Sequence, residues 1–140
     1  MTEVSIGPAR QDELPRILAL LEEGGLPPDG LENHLSTTVV ARREGRVVGS
    51  AALELYGPAA LLRSVAVRRD LRGSGLGCRL TEATLELSRG LGVEETYLLT
   101  ETADLFFPRF GFRPIPRSVE FTSACPVSAR AMVLDLRAAQ

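Results

Sequence analysis

The sequence predicts a mixed α/β domain, and three observations support this fold class. Helical and strand patterns alternate through most of the 140 residues. This length suits one domain with its own core. Apolar residues make up 44% of the chain and charged residues 24%, as in ordinary globular proteins. We therefore predict one domain over residues 1–140.

The first third of the chain begins with a short predicted strand at residues 4–6, and a helix follows. One face of this helix is indicated by four apolar residues at the spacing i, i+3, i+4 and i+7, namely Leu14, Ile17, Leu18 and Leu21. Residues 24–30 contain three glycines and two prolines, which must end the helix. A second short helix is expected at residues 31–35.

The middle of the chain predicts a hairpin, a central strand and a long helix. Residues 38–42 and 46–56 are rich in strand-forming residues and flank Glu44-Gly45, which is typical of a hairpin turn. The next strand is predicted at residues 61–67. Helical spacing then returns at Leu76, Leu80, Ala83, Leu87 and Leu91. Gly92 follows as the expected C-terminal cap of this helix.

The last third predicts three strands and one helix. A strand is expected at residues 96–100, a helix at residues 103–110 and the start of a strand at residues 113–115. Apolar and polar residues alternate over residues 129–136, which predicts the last strand.

A glycine-rich turn lies between the central strand and the long helix, and consists of Arg72, Gly73, Ser74, Gly75, Leu76 and Gly77. The N–H groups at a helix N-terminus attract anions, and glycines let a phosphate approach closely. A pyrophosphate would fit, although the turn matches neither the Rossmann fingerprint nor the phosphate loop of nucleotide hydrolases. Taken alone, it could also be a tight connection without a ligand.

Charge and cysteine content exclude several other classes. A net charge of -2 argues against a nucleic-acid-binding surface. Cys78 and Cys125 lack metal-binding spacing, so neither a disulfide nor a metal site is expected. The first residues do not form an export signal, and no apolar stretch approaches the roughly 20 residues of a membrane span. A cytoplasmic protein is the expectation.

The glycine-rich turn resembles the acyl-CoA loop of the GNAT superfamily of acetyltransferases, R/Q-x-x-G-x-G/A, at Arg72, Gly75 and Gly77. Residues 106–112 resemble a second motif of that family, F-Y-x-x-x-G-F. The resemblance implies the GNAT fold, a twisted mixed and mostly antiparallel sheet of about six to seven strands flanked by about four helices. It also implies acetyl-CoA as cosubstrate, no metal, and a possible homodimer.

The same resemblance implies where the cofactor binds. The backbone of the central strand would pair with the pantetheine arm at Val65, Ala66 and Val67, and residues 72–77 would hold the pyrophosphate. Three further candidates at the cofactor are Thr100, Phe107 and Arg109. Phe107 occupies the position where the family often has a tyrosine that protonates the leaving thiolate.

Residues 97–107 resemble the L-T-x-T-A-x-x-F-F segment of N-acetylglutamate synthase domains and of arsenic-resistance acetyltransferases. Residues 53–56 and 125–129 are more similar to the arsenic-resistance branch. The expected acceptor is therefore the amine of a small amino-acid-like substrate, either glutamate-like or an arsenical or phosphinic analogue.

Direct acetyl transfer needs a base for the amine, a donor for the oxyanion and a proton for the thiolate. Glu54 is the candidate base, although a solvent-facing strand carboxylate is the alternative. The resemblance places the oxyanion donor at the backbone of Val65 or Ala66. Tyr56, Ser64 or a water could protonate the thiolate, which also leaves readily unassisted because thiol pKa values lie near 8.5.

Two further side chains are candidates for acceptor binding. Arg63 interrupts an apolar strand and could hold a substrate carboxylate with two hydrogen bonds, or could form an ion pair with a protein carboxylate such as Glu54. His34 falls in the connection that often covers the acceptor pocket in the family, although a surface histidine is the ordinary alternative. Rival functions are an acetyltransferase for peptide, polyamine or antibiotic amines, and a non-catalytic acyl-CoA-binding module.

Overall fold

A computed structural model describes residues 3–100, 110–115 and 130–136. Its core is one seven-stranded sheet with the order β1-β2-β3-β4-β5-β7-β6. The strands are β1 (Val4–Pro8), β2 (Thr38–Arg43), β3 (Arg46–Tyr56), β4 (Ala59–Val67), β5 (Glu95–Thr100), β6 (Arg113–Ile115) and β7 (Arg130–Asp135). All neighbouring strands pair antiparallel except β4 and β5, which are parallel. The predicted mixed, mostly antiparallel sheet is confirmed.

In the part of the chain that the structure describes, two α-helices pack on the sheet, α1 (Leu14–Glu23) and α2 (Leu76–Gly90). Three short 3-10 segments accompany them within the described residues, at Gln11–Glu13, Leu31–Thr37 and Arg69–Leu71. The helix α2 provides the crossover from β4 to β5 that a parallel strand pair requires.

Each face of the sheet has its own apolar core. The α2 side is built around fully buried Val48, Leu53 and Leu80. The α1 side is built around fully buried Ile17, Leu21, Leu31 and Val40. Because successive strand residues point to opposite faces, neighbours in β3 and β4 contribute to different cores. Arg63 and Glu54, the charged residues that interrupt this apolar pattern, therefore both lie on the α1 side of the sheet.

Most predicted elements are confirmed, with small differences at their ends. The strand β4 begins at Ala59, two residues earlier than predicted, because the turn after β3 needs only residues 57 and 58. The segment predicted as a short helix at residues 31–35 is a 3-10 segment that continues to Thr37. Residues 103–109 of the predicted fourth helix lie outside the described residues, as does most of the second family-like motif.

Two class-level features follow from the described part of the chain. None of its helices is long and apolar enough to cross a membrane. Within the same residues, no group of three or more His, Cys, Asp or Glu side chains could hold a metal ion.

Candidate functional site

The central strands β4 and β5 separate partway along their length. Their parallel pairing runs from Ala59 opposite Glu95 to Leu62 opposite Leu98, and there it ends. Beyond that point β5 continues to Thr100 beside β7, while residues 63–67 of β4 have no strand partner on this side within the described residues. Among the described residues, this separation leaves one edge of β4 without a neighbouring strand, and an extended ligand could add hydrogen bonds to its backbone there.

A β-bulge lies in β4 at this separation. Ser50 pairs with Ala66 and Ala52 pairs with Arg63, so Ser64 and Val65 both lie opposite Ala51. Ser64 adopts a left-handed conformation with φ of 60° and is 8% exposed. The hydroxyl of Ser50 donates to the Ser64 carbonyl at 2.8 Å, which fixes the bulge from β3. A bulge leaves ladder hydrogen bonds unmade, so this strand can offer a backbone donor to a ligand.

The glycine-rich turn joins β4 to α2. Gly73 and Gly75 have φ values of 82° and 87°, in the region that favours glycine. The first helical hydrogen bond is donated by Arg79 to the Gly75 carbonyl at 3.1 Å, so the N–H groups of Leu76 and Gly77 precede it. These groups and the helix dipole suit an anion. Arg72 lies exposed beside the turn and donates from Nε to the Val67 carbonyl at 3.1 Å.

A cluster of polar side chains lies near the middle of the sheet, on the α1 side. Nη1 of Arg63 donates to Oε2 of Glu54 at 2.6 Å, and these side chains are 12% and 13% exposed. The ion pair that the sequence left open as one alternative for Arg63 is therefore present. The hydroxyl of Tyr56 donates to Oε1 of Glu54, and Nε2 of His34 lies 3.8 Å from Oε2.

The guanidinium of Arg63 makes further hydrogen bonds. Nη1 also donates to the Asp29 carbonyl at 2.7 Å, and Nη2 donates to the Pro27 carbonyl at 3.0 Å. Nε donates to the hydroxyl of Ser64 at 3.0 Å. Residues 26–37, which we call the covering segment, thus lie over the cluster. Two of their carbonyl groups accept hydrogen bonds from Arg63. Binding a substrate carboxylate with two hydrogen bonds would require Arg63 to release at least one of these partners.

The cluster controls the protonation of its two acidic groups. Burial raises the pKa of Glu54, but hydrogen bonds from Tyr56 and Arg63 and the charges of Arg63 and His34 together hold it below its ordinary value. The hydrogen bond to Glu54 is the main cause that raises the pKa of Tyr56 to about 12. At neutral pH the site therefore holds an ionised carboxylate and a protonated phenol.

The structure gathers most of the predicted residues into two neighbouring groups. Val65, Ala66 and Val67 lie on the open edge of β4, and the glycine-rich turn lies at the end of that strand. Glu54, Arg63 and His34 lie together beneath or within the covering segment, and Tyr56, which is largely exposed, donates to the same carboxylate. Thr100 is the last residue of β5, whereas Phe107 and Arg109 lie outside the described residues.

Sequence reasoning missed three contributors to the site. The carbonyl groups of Pro27 and Asp29 left no signal, because any residue can supply a backbone oxygen. Ser50 fixes the bulge, and only the pairing register reveals this role. A serine in the otherwise apolar run of β3 was the one hint that the sequence offered.

Residues 34–114 match the sequence model of a known family, the acetyltransferase (GNAT) domain. An amino-acid acetyltransferase of Neisseria meningitidis is 30% identical over 119 residues, which are 79% of this chain and 27% of the relative. An uncharacterized N-acetyltransferase of Chlorobaculum tepidum is 32% identical over 99 residues, 68% of this chain and 63% of the relative. The chain thus spans about a quarter of the length of the amino-acid acetyltransferases it matches.

Solved structures show the same architecture. N-acetylglutamate synthase from Neisseria gonorrhoeae, complexed with coenzyme A and N-acetyl-glutamate, superposes with a TM-score of 0.80 at 25% identity. The match covers 97% of this chain and 36% of the synthase chain. A Mycobacterium tuberculosis protein in complex with CoA superposes with a TM-score of 0.79 at 23% identity. That match covers 94% of this chain and 98% of the other protein, and it supports the fold alone.

Proposed function

The chain belongs to the acetyltransferase (GNAT) domain family, and we propose that it is an N-acetyltransferase that moves acetyl from acetyl-CoA to the amine of a small amino-acid-like substrate. The Arg63–Glu54 pair beneath the covering segment is the observation that carries this proposal. It offers one fixed cation and one fixed anion at a mostly covered place. An amino acid has the complementary pair of charges, and Arg63 would meet its carboxylate through its charge and the one donor that its four hydrogen bonds leave over.

The described residues fit acetyl-CoA. The open edge of β4 offers backbone groups along residues 63–67, where the amides of a pantetheine arm can pair. The turn at residues 72–77 offers helix N-terminal N–H groups and the Arg72 guanidinium, which suit a pyrophosphate. Acetyl-CoA supplies a thioester that an amine can attack.

We assign to Glu54 the role of the base that accepts the proton of the acceptor amine. Its carboxylate is ionised at neutral pH, the form that can take a proton from a bound ammonium directly or through a water. The lowered pKa makes it a weak base, so the proton must pass on to solvent. His34 lies within reach of the same carboxylate and lines the acceptor side.

The bulged strand β4 would stabilise the negative charge that develops during acetyl transfer. A backbone N–H of Val65 or Ala66 would steady the developing oxyanion, since Ser64 and Val65 are the extra residues opposite Ala51. For the leaving thiolate, Tyr56 and Ser64 are the available hydroxyl groups. Tyr56 keeps its proton to high pH, and Ser64 is held by Arg63, so unassisted departure or a water competes with both.

The relatives support a small acceptor. Several of them are amino-acid acetyltransferases, and one solved neighbour contains N-acetyl-glutamate. A glutamate-like acceptor is therefore the first to test, with arsenical and phosphinic analogues beside it. A cytoplasmic location, a single domain and a homodimer stay predictions.

The test is release of free thiol from acetyl-CoA with a panel of amines. The panel holds glutamate, phosphinothricin-type and arsenical amino acids, a polyamine and a short peptide. We expect turnover on at least one small anionic amino acid and little on the polyamine or the peptide. Turnover on the larger amines alone would contradict the small-acceptor assignment, and acetyl-CoA binding without thiol release on any amine would favour a binding module.

A further inference from the structure

The segment that covers the acceptor side has an unusual attachment at residues 27–30. Its neighbours in sequence are well anchored: the Leu26 N–H donates to the Leu21 carbonyl at 2.8 Å, and Leu31 is fully buried. Residues 27–30 between them contain two prolines and a glycine with φ of 74°. Apart from bonds within the covering segment, their only hydrogen bonds in the described part of the chain come from Arg63.

Arg63 forms a rigid link, which we call a strut, between separate parts of the chain. A guanidinium has five N–H donors in a rigid planar fork. Four of them are used, and their acceptors belong to three separate parts of the chain, the covering segment, β3 and the bulge. One Nη1 atom joins the Asp29 carbonyl to Oε2 of Glu54. A shift of this fork would move the covering segment and the carboxylate together.

We propose that Arg63 is a positioning residue that holds residues 27–30 and Glu54 in one geometry and thereby shapes the acceptor pocket. This inference rests on the proposed function for its kinetic consequence, but not for its structural one. A simple charge partner for the acceptor could be replaced by any cation. A strut requires the fork, because a lysine ammonium cannot reach both carbonyl groups, Ser64 and Glu54 at once.

The experiment compares Arg63→Lys with the matched control Glu54→Gln in the full chain. Lysine keeps the charge beside Glu54 but loses the fork, whereas glutamine removes the charge and leaves the bonds to Pro27 and Asp29 in place. Amide hydrogen exchange reports the covering segment directly. The Leu31 and Asn33 amides are the probes, since they donate to the carbonyls of Pro28 and Gly30.

In Arg63→Lys we expect these two amides to exchange about 10-fold faster relative to amides of α2, because local opening becomes easier. The KM for the acceptor should rise about 10-fold and kcat should also fall, because Glu54 is displaced together with the covering segment. The KM for acetyl-CoA should stay within about 2-fold. In Glu54→Gln the exchange should stay near wild type while kcat falls. Unchanged exchange in Arg63→Lys, or an increase matched by α2, overturns the proposal.

Nuclear magnetic resonance of the wild-type guanidinium covers the case in which Arg63→Lys does not fold. Resolved, slowly averaging Nη signals for Arg63 are expected if the fork is fixed, and fully averaged signals overturn the proposal. The result is separable from the enzymatic assignment. If the amides exchange faster in Arg63→Lys but the wild type releases no thiol with any amine, the positioning role of Arg63 is retained and the acetyltransferase function is rejected.

Discussion

Two arginine–glutamate pairs are largely buried on the described part of this molecule, and they differ in how the arginine is otherwise satisfied. At the start of α1, Arg42 donates from Nε and Nη2 to the two oxygens of Glu13, at 2.6 and 2.7 Å, and adds one bond to the Pro8 carbonyl. At the candidate site, Arg63 gives Glu54 a single hydrogen bond and spends three donors elsewhere.

The pKa values follow this difference. The hydrogen bond from Arg42 is the largest influence on Glu13. With smaller contributions from the backbone N–H and the charge of Arg10, it lowers the pKa of Glu13 despite burial. For Glu54 the largest influence is burial, which raises its pKa, and only the sum of Tyr56, Arg63 and His34 reverses it. A carboxylate held by one dominant partner suits a structural role. A carboxylate balanced among several partners responds to each of them, which suits a group that exchanges protons.

Activity should distinguish the two arginine–glutamate pairs most strongly. In Glu54→Gln we expect kcat to fall about 1,000-fold, because the amide cannot accept the proton of the amine. The unfolding free energy should fall by only about 1 kcal/mol, since Arg63 keeps its other three partners. Thiol-release kinetics and urea unfolding measure the two quantities. A kcat within about 3-fold of wild type would remove Glu54 from the chemistry.

The second effect concerns stability at the other pair. In Glu13→Gln we expect the unfolding free energy to fall by about 3 kcal/mol, the low end for a broken buried pair. Arg42 loses its anionic partner, and the amide replaces one of its two acceptor oxygens with a donor. Once the folded protein is saturated with substrate, kcat should stay near wild type. Urea unfolding at neutral pH is the measurement. A loss below about 1 kcal/mol would show that this pair is no more stabilising than a surface pair.

The pH dependence of unfolding is the control for this pair. The folded pKa of Glu13 is below its ordinary value of 4.5. Its contribution is therefore fully present above that value and is lost as the pH falls through the folded pKa. The wild type should lose stability over this acidic range more steeply than Glu13→Gln. Equal slopes would contradict the assigned pair.

Tyr56 provides a milder test of whether Glu54 titrates during the reaction. In Tyr56→Phe, Glu54 loses one of the hydrogen bonds that lower its pKa, so that pKa should rise toward its ordinary value. The acidic limb of the kcat/KM profile should then move to higher pH, with kcat on the plateau changed by less than about 10-fold. An acidic limb that does not move would mean that Glu54 is not the group that titrates.

The cofactor side of the site was readable because it is local in the chain. The strand, the turn at residues 72–77 and the start of α2 follow one another directly, and the positive φ of Gly73 and Gly75 explains why glycines occur there. Strand-forming residues, turn signals and apolar periodicity likewise predicted the seven strands and two α-helices of the described residues to within a few residues. Local backbone preferences and periodicity suffice for such features.

The acceptor side was only partly readable because its contacts are distant in the chain. Arg63 and Glu54 were paired in one of two alternatives that the sequence left open, and their antiparallel strands made that pairing plausible. The bonds from Arg63 to residues 34 and 36 positions away were not foreseeable, since carbonyl acceptors have no side-chain signature. The buried Glu13–Arg42 pair was missed altogether, because charged residues 29 positions apart carry no shared pattern.

The order of elements, the glycine-rich turn and the residue types typical of an acetyltransferase of this family can be read from the amino-acid sequence alone. Short-range sterics, helix termini and apolar periodicity act within a few residues, so they are written directly in the chain. Only the tertiary structure decided that β4 separates from β5 after Leu62, that the bulge falls at Ser64 and Val65, and that Arg63 is committed to four partners. Those features depend on strand register and on packing between distant segments, which no local pattern encodes.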